Sequence, residues 1–337
     1  MDRLYGWLLL SSIRGLGEAS IKKLWLRYRR AEDILKASFE ELEALIGTSK
    51  AKSIFERRLK FDPEQVLKVV EREGIGSLTL EDEKYPALLK EIEDPPPVLF
   101  YRGKPKDMPL VAVVGTRKPD IISLNYTKRL VSFLSEQGYA IVSGGAFGID
   151  FQSHKVSLEH AGYTVCVLGM GILHVPSYLK GLPSEGVLFL SEFLPEARAD
   201  EYTFPRRNRL ISGLSRAVVV VEAGIKSGAL ITADYAIRQG RPLWVFIGMG
   251  ASNRWLGCVK LVNEGKAKLL AQPELLLESL PKAPAKGDPL LDLLSTPKTY
   301  DELLELSGMG REELNKRLFE LQLEGRLTKN GAYYMLL

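Results

Sequence analysis

Apolar positions along the chain change their period twice. Over residues 1–60 they keep a helical spacing. Leu9, Leu10, Ile13 and Leu16, then Ala19, Ile21, Leu24 and Trp25, fall on either side of Gly15-Leu16-Gly17. Two glycines there permit the positive φ that a tight turn between helices uses. Leu42, Leu45, Ile46, Ala51 and Ile54 repeat the arrangement around Gly47-Thr48, which predicts a second helical pair packed on the first. From Asp62 the pattern is mixed, until Asp94-Pro95-Pro96-Pro97 stiffens the approach to a strand at Val98–Gly103. Short apolar, β-branched runs then alternate with helical stretches: Leu110–Val114, Tyr139–Val142, Thr164–Leu168, Val187–Leu190, Ala217–Val221 and Leu243–Ile247. Runs apolar on both faces and separated by helices predict a parallel sheet covered on both sides, a doubly wound α/β layer.

The period changes again after Leu280–Pro289, a Pro- and Lys-rich linker. Pro289–Leu294, Tyr300–Leu306 and Arg311–Gln322 read as three short helices, and Arg326–Leu337 as a hairpin around Asn330-Gly331. Three helices followed by a β-hairpin make a winged-helix pattern with Arg311–Gln322 as its third helix. Arg311, Lys316 and Arg317 on that helix are offset by Glu312, Glu313, Glu320 and Glu324, so a DNA-binding role and a docking or structural role stay equally open. The expected division is 1–60 helical hairpins, 61–280 α/β layer and 289–337 winged helix.

Composition narrows the class without fixing the function. The chain has 337 residues, 45% apolar and 26% charged, with a net charge of +4. These are ordinary values for a folded globular protein and exclude a disordered or fibrous one. Cys166 and Cys258 stand far apart, and there are only three histidines. Neither a metal cage nor a disulfide framework can be assembled from them, so we expect no metal, no cofactor and a reducing cytoplasmic setting. Tyr5–Leu10 is short for a signal segment and continues into a helical pattern, so neither an export signal nor a membrane span is expected.

Chemistry should sit where an open parallel sheet binds ligands, beyond the carboxyl ends of its strands near the point where strand order reverses. After the first parallel strand come Gly115, Thr116, Arg117 and Lys118, offering a hydroxyl and two cations. After the second come Ser143, Gly144, Gly145, Ala146, Phe147 and Gly148, whose glycines let N–H groups point into a concavity at a helix start. Arg206, Arg207, Asn208 and Arg209 follow the fourth, and Lys226, Ser227 and Gly228 the fifth. Such a set suits phosphate. No GxxxxGK[ST] loop is present, because Ile225 stands where its second glycine would be, and no GxGxxG follows the first strand, so the usual ATP and NAD cradles are missing. Separate phosphates crossing several strand ends would use this distributed set, with Phe147 or Phe204 offering a face for a base.

Four segments together are recognisable: Val114-Gly-Thr-Arg117, Val142-Ser-Gly-Gly-Ala-Phe-Gly-Ile-Asp150, Phe204-Pro-Arg-Arg-Asn-Arg-Leu-Ile211 and Val221-Glu-Ala-Gly-Ile-Lys-Ser-Gly-Ala-Leu-Ile-Thr-Ala233. In order and spacing they resemble the motifs of the DNA-processing protein A (DprA/Smf) family over about Pro86 to Leu270. The resemblance implies an extended Rossmann-like core, flanked by a helix-hairpin-helix or SAM-like domain and a winged helix. It further implies a cytoplasmic homodimer that binds single-stranded DNA, protects it and loads a RecA-type recombinase in natural transformation. Leu8–Leu24 itself resembles a helix-hairpin-helix motif, with phosphate contact and a purely structural hairpin as its two readings. Phe147 stands where the family usually has Arg or Lys, Val259 where an Asn is common, and Phe246-Ile-Gly248 replaces Val-Pro-Gly. Gly169–Pro176 keeps only part of its motif.

An enzyme, a nucleotide-cleaving phosphoribohydrolase on a related Rossmann-like fold, is the alternative, because Asp150, Glu192 and Glu222 all fall near strand ends. Ala223-Gly-Ile-Lys-Ser-Gly228 replaces the Pro-Gly-Gly-x-Gly-Thr loop of those enzymes, and His154, His160 and His174 make no triad. The expectation is therefore a non-catalytic binding protein, with Glu192 and Glu222 as partners of Arg206, Arg207, Arg209 or backbone donors.

Overall fold

The computed structural model describes residues 2–248, 253–280, 289–294, 296–323 and 326–336. Residues 281–288 of the expected linker lie outside them. Nine strands form one sheet: β1 (Gly76–Thr79), β2 (Val98–Arg102), β3 (Leu110–Gly115), β4 (Ala140–Ser143), β5 (Thr164–Val167), β6 (Val187–Ser191), β7 (Ala217–Val221), β8 (Leu243–Phe246) and β9 (Lys268–Leu269). Their spatial order is β1-β2-β6-β5-β4-β3-β7-β8-β9. From β6 to β9 every pairing is parallel, while β1 and β2 add an antiparallel edge. The six apolar runs are the six long parallel strands, because a strand covered on both faces has no polar side to alternate with. Edge strands β1 and β9 escape the pattern. β1 is half-buried over three of its four residues and β9 is two exposed residues, so no apolar run marks them.

The chain first moves from β3 outward through β4, β5 and β6, then crosses back to β7 on the other side of β3. Right-handed crossovers in opposite directions put their helices on opposite faces. Ile121–Glu136 and Ile149–Glu159 pack on each other on one face, and Thr203–Leu214 and Ala229–Arg238 on the other.

Residues 2–60 are helical, as the spacing predicts: Arg3–Ser12, Glu18–Tyr28, Ala31–Lys36, Phe39–Ile46 and Thr48–Phe55. Of the two hairpin glycines, only Gly15 takes a positive φ, +79°, whereas Gly17 caps the next helix at −90°. These helices are not separately cored. Trp7, Leu8, Leu10, Leu24 and Trp25 join Leu89, Ile92, Leu210, Leu214 and the sheet residues Ala112, Val114, Val218 and Val220 in one continuous cluster. Met1–Lys282 is accordingly one compact unit, and no break falls at the boundary expected at residue 60: a further helix, Pro63–Arg72, follows it and packs on Arg3–Ser12 before the first strand begins at Gly76.

The second unit, Ala283–Leu337, contains helices Pro289–Leu293, Tyr300–Ser307 and Arg311–Leu323 and strands β10 (Lys298–Thr299), β11 (Leu327–Asn330) and β12 (Tyr333–Leu336). Its sheet order is β10-β12-β11. Leu290, Leu294, Leu303, Leu314, Leu318, Leu321, Leu327 and Tyr334 make its own core. The three helices and the hairpin agree with the winged-helix pattern, with the short β10 as an addition. Among the described residues no helix is long and apolar enough to cross a membrane.

Separate cores give a direct expectation. A chain ending at Lys282 should unfold cooperatively near the temperature of the full chain, because its sheet and core lie before that point. A chain beginning at Phe61 should lose soluble expression or cooperative unfolding, since it exposes the surface that Trp7, Leu8 and Leu10 cover. Circular-dichroism melts of both check this.

Candidate nucleic-acid interface

β3 and β7 lie side by side at the point of reversal, and the chains leaving their carboxyl ends diverge. A cleft of about 730 Å³ opens between those two chains, lined by Gly115–Lys118 from one and by Glu222, Gly224 and Lys226–Ala229 from the other. Helix Thr203–Leu214 adds Arg207 and Asn208, and the segment after β8 adds Asn253 and Arg254.

Glu222 ties the walls together. It is 1% exposed and directly follows β7 with a left-handed φ of +55°, a conformation uncommon outside glycine. Its carbonyl accepts from Thr116 N at 3.0 Å and its Oε2 from Asp120 N at 2.9 Å. Oε1 accepts from Arg254 Nη1 at 2.9 Å, and the same guanidinium donates to Lys118 O at 2.8 Å. One buried carboxylate thus fixes the loop after β3 and an arginine at the cleft edge. Arg117, Lys118 and Lys226 are exposed and, among the described residues, have no carboxylate within ion-pair distance.

A smaller apolar pocket of about 200 Å³ adjoins the cleft and shares Arg117, Ala146, Phe204 and Arg207 with it. Phe147 is 60% exposed and stacks on Tyr178, with ring centroids 4.2 Å apart and planes 24° apart. Tyr178 is anchored by donating its hydroxyl to Gly145 O. An outward aromatic face therefore stands beside unneutralised cations.

The structure brings Gly115, Thr116, Arg117, Arg207, Asn208, Lys226, Ser227 and Gly228 into the cleft and places Gly145 and Phe147 in the adjoining pocket. The other expected residues fall elsewhere. Ser143 is fully buried and donates to Val113 O at 2.6 Å. Gly144 is buried too. A Cβ on it would lie 2.6 Å from Asp150 Oδ2 and 2.7 Å from Arg207 Nη2, so this glycine makes room for internal charges.

Arg206 and Arg209 point away from the cleft, because positions 206 and 209 share a helix side that 207 and 208 do not. Arg209 is 1% exposed and pairs with Glu192 and, at 3.1 Å, with Asp94; Arg206 pairs with Glu192 at 3.3 Å and with Glu18. Glu192 thus has arginine partners of the kind expected for it, and Glu222 a backbone donor, the Asp120 amide, with Arg254 as an arginine outside those expected. Gly148, at φ +86°, packs against Thr116 O and Arg117 rather than opening toward a ligand.

Arg254 and Tyr178 are absent from the set that sequence reasoning selects, and Lys118 is noted there only as the second cation of its loop. Lys118 carries the signal of its neighbour Arg117, and Arg254 that of a cation following a parallel strand. Tyr178 gives none, since a ring meets Phe147 only through the tertiary fold.

Two buried titratable groups stand here, of which Asp150 lines the cleft. Burial raises the Asp150 carboxyl to about 6, although Arg207 and the amides of Ala146 and Gly115 pull it down. His154, one helical turn on, faces Thr164 Oγ1 at 2.6 Å and donates Nε2–H to Gly144 O at 2.7 Å, and burial lowers it to about 4. Burial likewise raises Cys166 to about 12 and Cys258 to about 11, which leaves both as protonated core thiols.

Fold and site together define a Rossmann-like α/β protein with a cationic cleft at its topological switch point. The chain belongs to the DNA recombination-mediator protein A family, whose model matches residues 76–281. Protein Smf of Synechocystis sp. is 35% identical over 284 residues, covering 80% of this chain and 71% of that protein. DNA processing protein DprA of Bacillus subtilis is 36% identical over 228 residues, covering 65% and 75%. The X-ray structure of DNA processing protein A from Streptococcus pneumoniae superposes with a TM-score of 0.71 at 31% identity, over 83% of this chain and 99% of that one. DNA processing protein A from Helicobacter pylori, solved for its single-stranded DNA binding mode, gives 0.55 at 28% identity, over 61% and 94%.

The buried pair makes a signed prediction. Folded Asp150 keeps its proton to about pH 6 and the unfolded chain only to 3.8, so its contribution to stability falls as pH rises through that window. For His154 the unfolded chain takes the proton at 6.5 and the folded one at about 4, so stability is lost as pH drops between them. These slopes oppose each other in the native chain. Asp150→Asn should leave stability rising with pH from 4 to 6.5, by on the order of 3 kcal/mol, and His154→Gln should leave it falling by a similar amount. Urea unfolding at a series of pH values reads this directly, and unchanged slopes in both variants would contradict it.

Proposed function

We propose that the cleft binds single-stranded DNA with little sequence preference, its phosphates crossing the ends of β3 and β7 and a base lodging against Phe147 or Phe204. The observation that carries this reading is the set of unneutralised cations, Arg117, Lys118 and Lys226, on two diverging loops beside an apolar, aromatic-lined pocket. Phosphates at separate positions need cations on separate loops, and stacking tolerates any base because every base has a π face. Thr116, Ser227, Asn208 and the Gly228 backbone supply neutral polar contacts, and Arg207 supports the floor from a buried position. The H. pylori relative's single-stranded DNA binding points the same way.

Membership of a recombination-mediator family supports the rest of the reading: a cytoplasmic homodimer that protects incoming DNA and loads a RecA-type recombinase in natural transformation. In this reading the protein is not an enzyme. A hydrolase would need a carboxylate free to exchange protons with a ligand. Glu222 is committed to Asp120 N and Arg254, Glu192 to Arg206 and Arg209, and Asp150, 7% exposed in the cleft lining, is engaged by Arg207 and the amides of Ala146 and Gly115.

Single substitutions separate phosphate binding from stacking. Arg117→Ala or Lys226→Ala should weaken binding to every single-stranded sequence alike and flatten the log–log salt dependence by about 0.7 for each phosphate no longer neutralised. Phe147→Ala should cost about 1–3 kcal/mol of binding with the salt slope unaltered. Arg209→Ala should lower stability and leave the salt slope unchanged, because its charge is spent on Glu192 and Asp94. Fluorescence anisotropy across a salt series checks all four. Wild-type affinity and slope in Arg117→Ala, or tighter binding of blunt duplex than of single strands, would sink the reading.

A further inference from the structure

The basic excess of the chain lies outside the α/β layer. Residues 1–60 hold 13 Lys and Arg against 8 Asp and Glu, whereas residues 61–337 hold 33 against 34. Within the helical region several cations gather at one end. Arg14 N donates to Arg58 O at 2.7 Å, Arg14 Nε to Leu59 O at 3.0 Å and Lys60 N to Ser12 O at 2.7 Å. Ile13 also meets Leu59 in an isolated antiparallel bridge. These bonds hold the hairpin turn against the segment that follows helix Thr48–Phe55, so Arg14, Arg57, Arg58 and Lys60 emerge together, all exposed.

Arg58 and Lys52 share Glu56 as a partner, at 2.5 and 3.6 Å. Among the described residues Arg14, Arg57 and Lys60 have no carboxylate within ion-pair distance. Arg57 is held at φ +47°, in the left-handed turn that ends a helix, where glycine is the ordinary residue. Packing does not account for an arginine there, since its side chain is exposed. Phe55, 54% exposed, precedes it by two residues and meets Phe39 edge-on at 5.6 Å.

We propose that this patch is a second contact surface for single-stranded DNA, engaged by a strand that already fills the cleft. The proposal rests on the cleft reading above. Clustered unneutralised cations attract a polyanion. The exposed ring among them favours a strand with unpaired bases over a duplex or an acidic protein. The patch also has a physical route to the cleft. Glu18, which opens the helix after the hairpin, pairs with Arg206 of helix Thr203–Leu214, and the next two residues of that helix, Arg207 and Asn208, line the cleft.

The test is the full-length triple variant Arg14→Ser, Arg57→Gly and Lys60→Ser, with binding to oligothymidylates of about 6 and about 30 nucleotides measured across a salt series. The substituted side chains are exposed, and a thermal melt matching wild type verifies the fold. The short strand should bind as before. The long strand should bind at least about tenfold more weakly, with its log–log slope reduced by up to about 2. No change with the long strand, or equal weakening with both, overturns the proposal. Arg117→Ala is run alongside. If it leaves the short strand bound while the triple variant loses only the long one, the cleft reading fails and the patch stands.

Discussion

The Glu222 carboxylate holds together a place where the fold itself pulls the chain apart. β3 and β7 are paired over their whole length, yet the segments after them leave in opposite directions, because the chain winds outward on one side of β3 and then on the other. That divergence creates a cleft in any doubly wound sheet. Here the divergence is spanned by hydrogen bonds from one buried residue, whose left-handed backbone aims the carboxylate back at Asp120 N. Leaving such a carboxylate buried without these partners would cost several kcal/mol, so the loop carrying Arg117 and Lys118 is held where the carboxylate holds it.

Helix Thr203–Leu214 divides its four consecutive polar residues between two tasks. Arg207 and Asn208 face the cleft, while Arg206 and Arg209 face Glu192, Asp94 and Glu18. The second set joins the helical region to the sheet through an ionic cluster that runs from the half-exposed Glu18–Arg206 pair to the buried Arg209–Glu192 pair, and the shared apolar core completes the joint. The helical region is thereby fixed relative to the cleft wall, and a nucleic-acid strand meeting both would cross one rigid surface.

Legibility in the sequence follows burial. The six long parallel strands are visible because they are apolar on both faces, and the hairpin at Gly15 because a positive φ calls for glycine. The motif loops are legible as a group, and most of their residues do meet at one cleft. Individual roles are less so. A run such as Arg206-Arg207-Asn208-Arg209 looks uniformly cationic, although its helical phase already separates 206 and 209 from 207 and 208. Ser143 and Gly144 read as ligand-facing because small residues before a helix often are, but Ser143 is spent inside the sheet and Gly144 makes room for Asp150 and Arg207. The pairing of Phe147 with Tyr178, and the gathering of Arg14 with Arg57 and Lys60, join residues about 30 or more positions apart and depend on tertiary packing alone.

The central claim is that a single strand lies in the cleft at the strand reversal with a base against its aromatic pocket. Photocrosslinking of an oligonucleotide carrying 5-iodouracil, followed by peptide mapping, tests it most directly. Adducts on Phe147, Tyr178 or Phe204 are the predicted result. Adducts confined to residues 289–337, with none on the cleft loops, would contradict it.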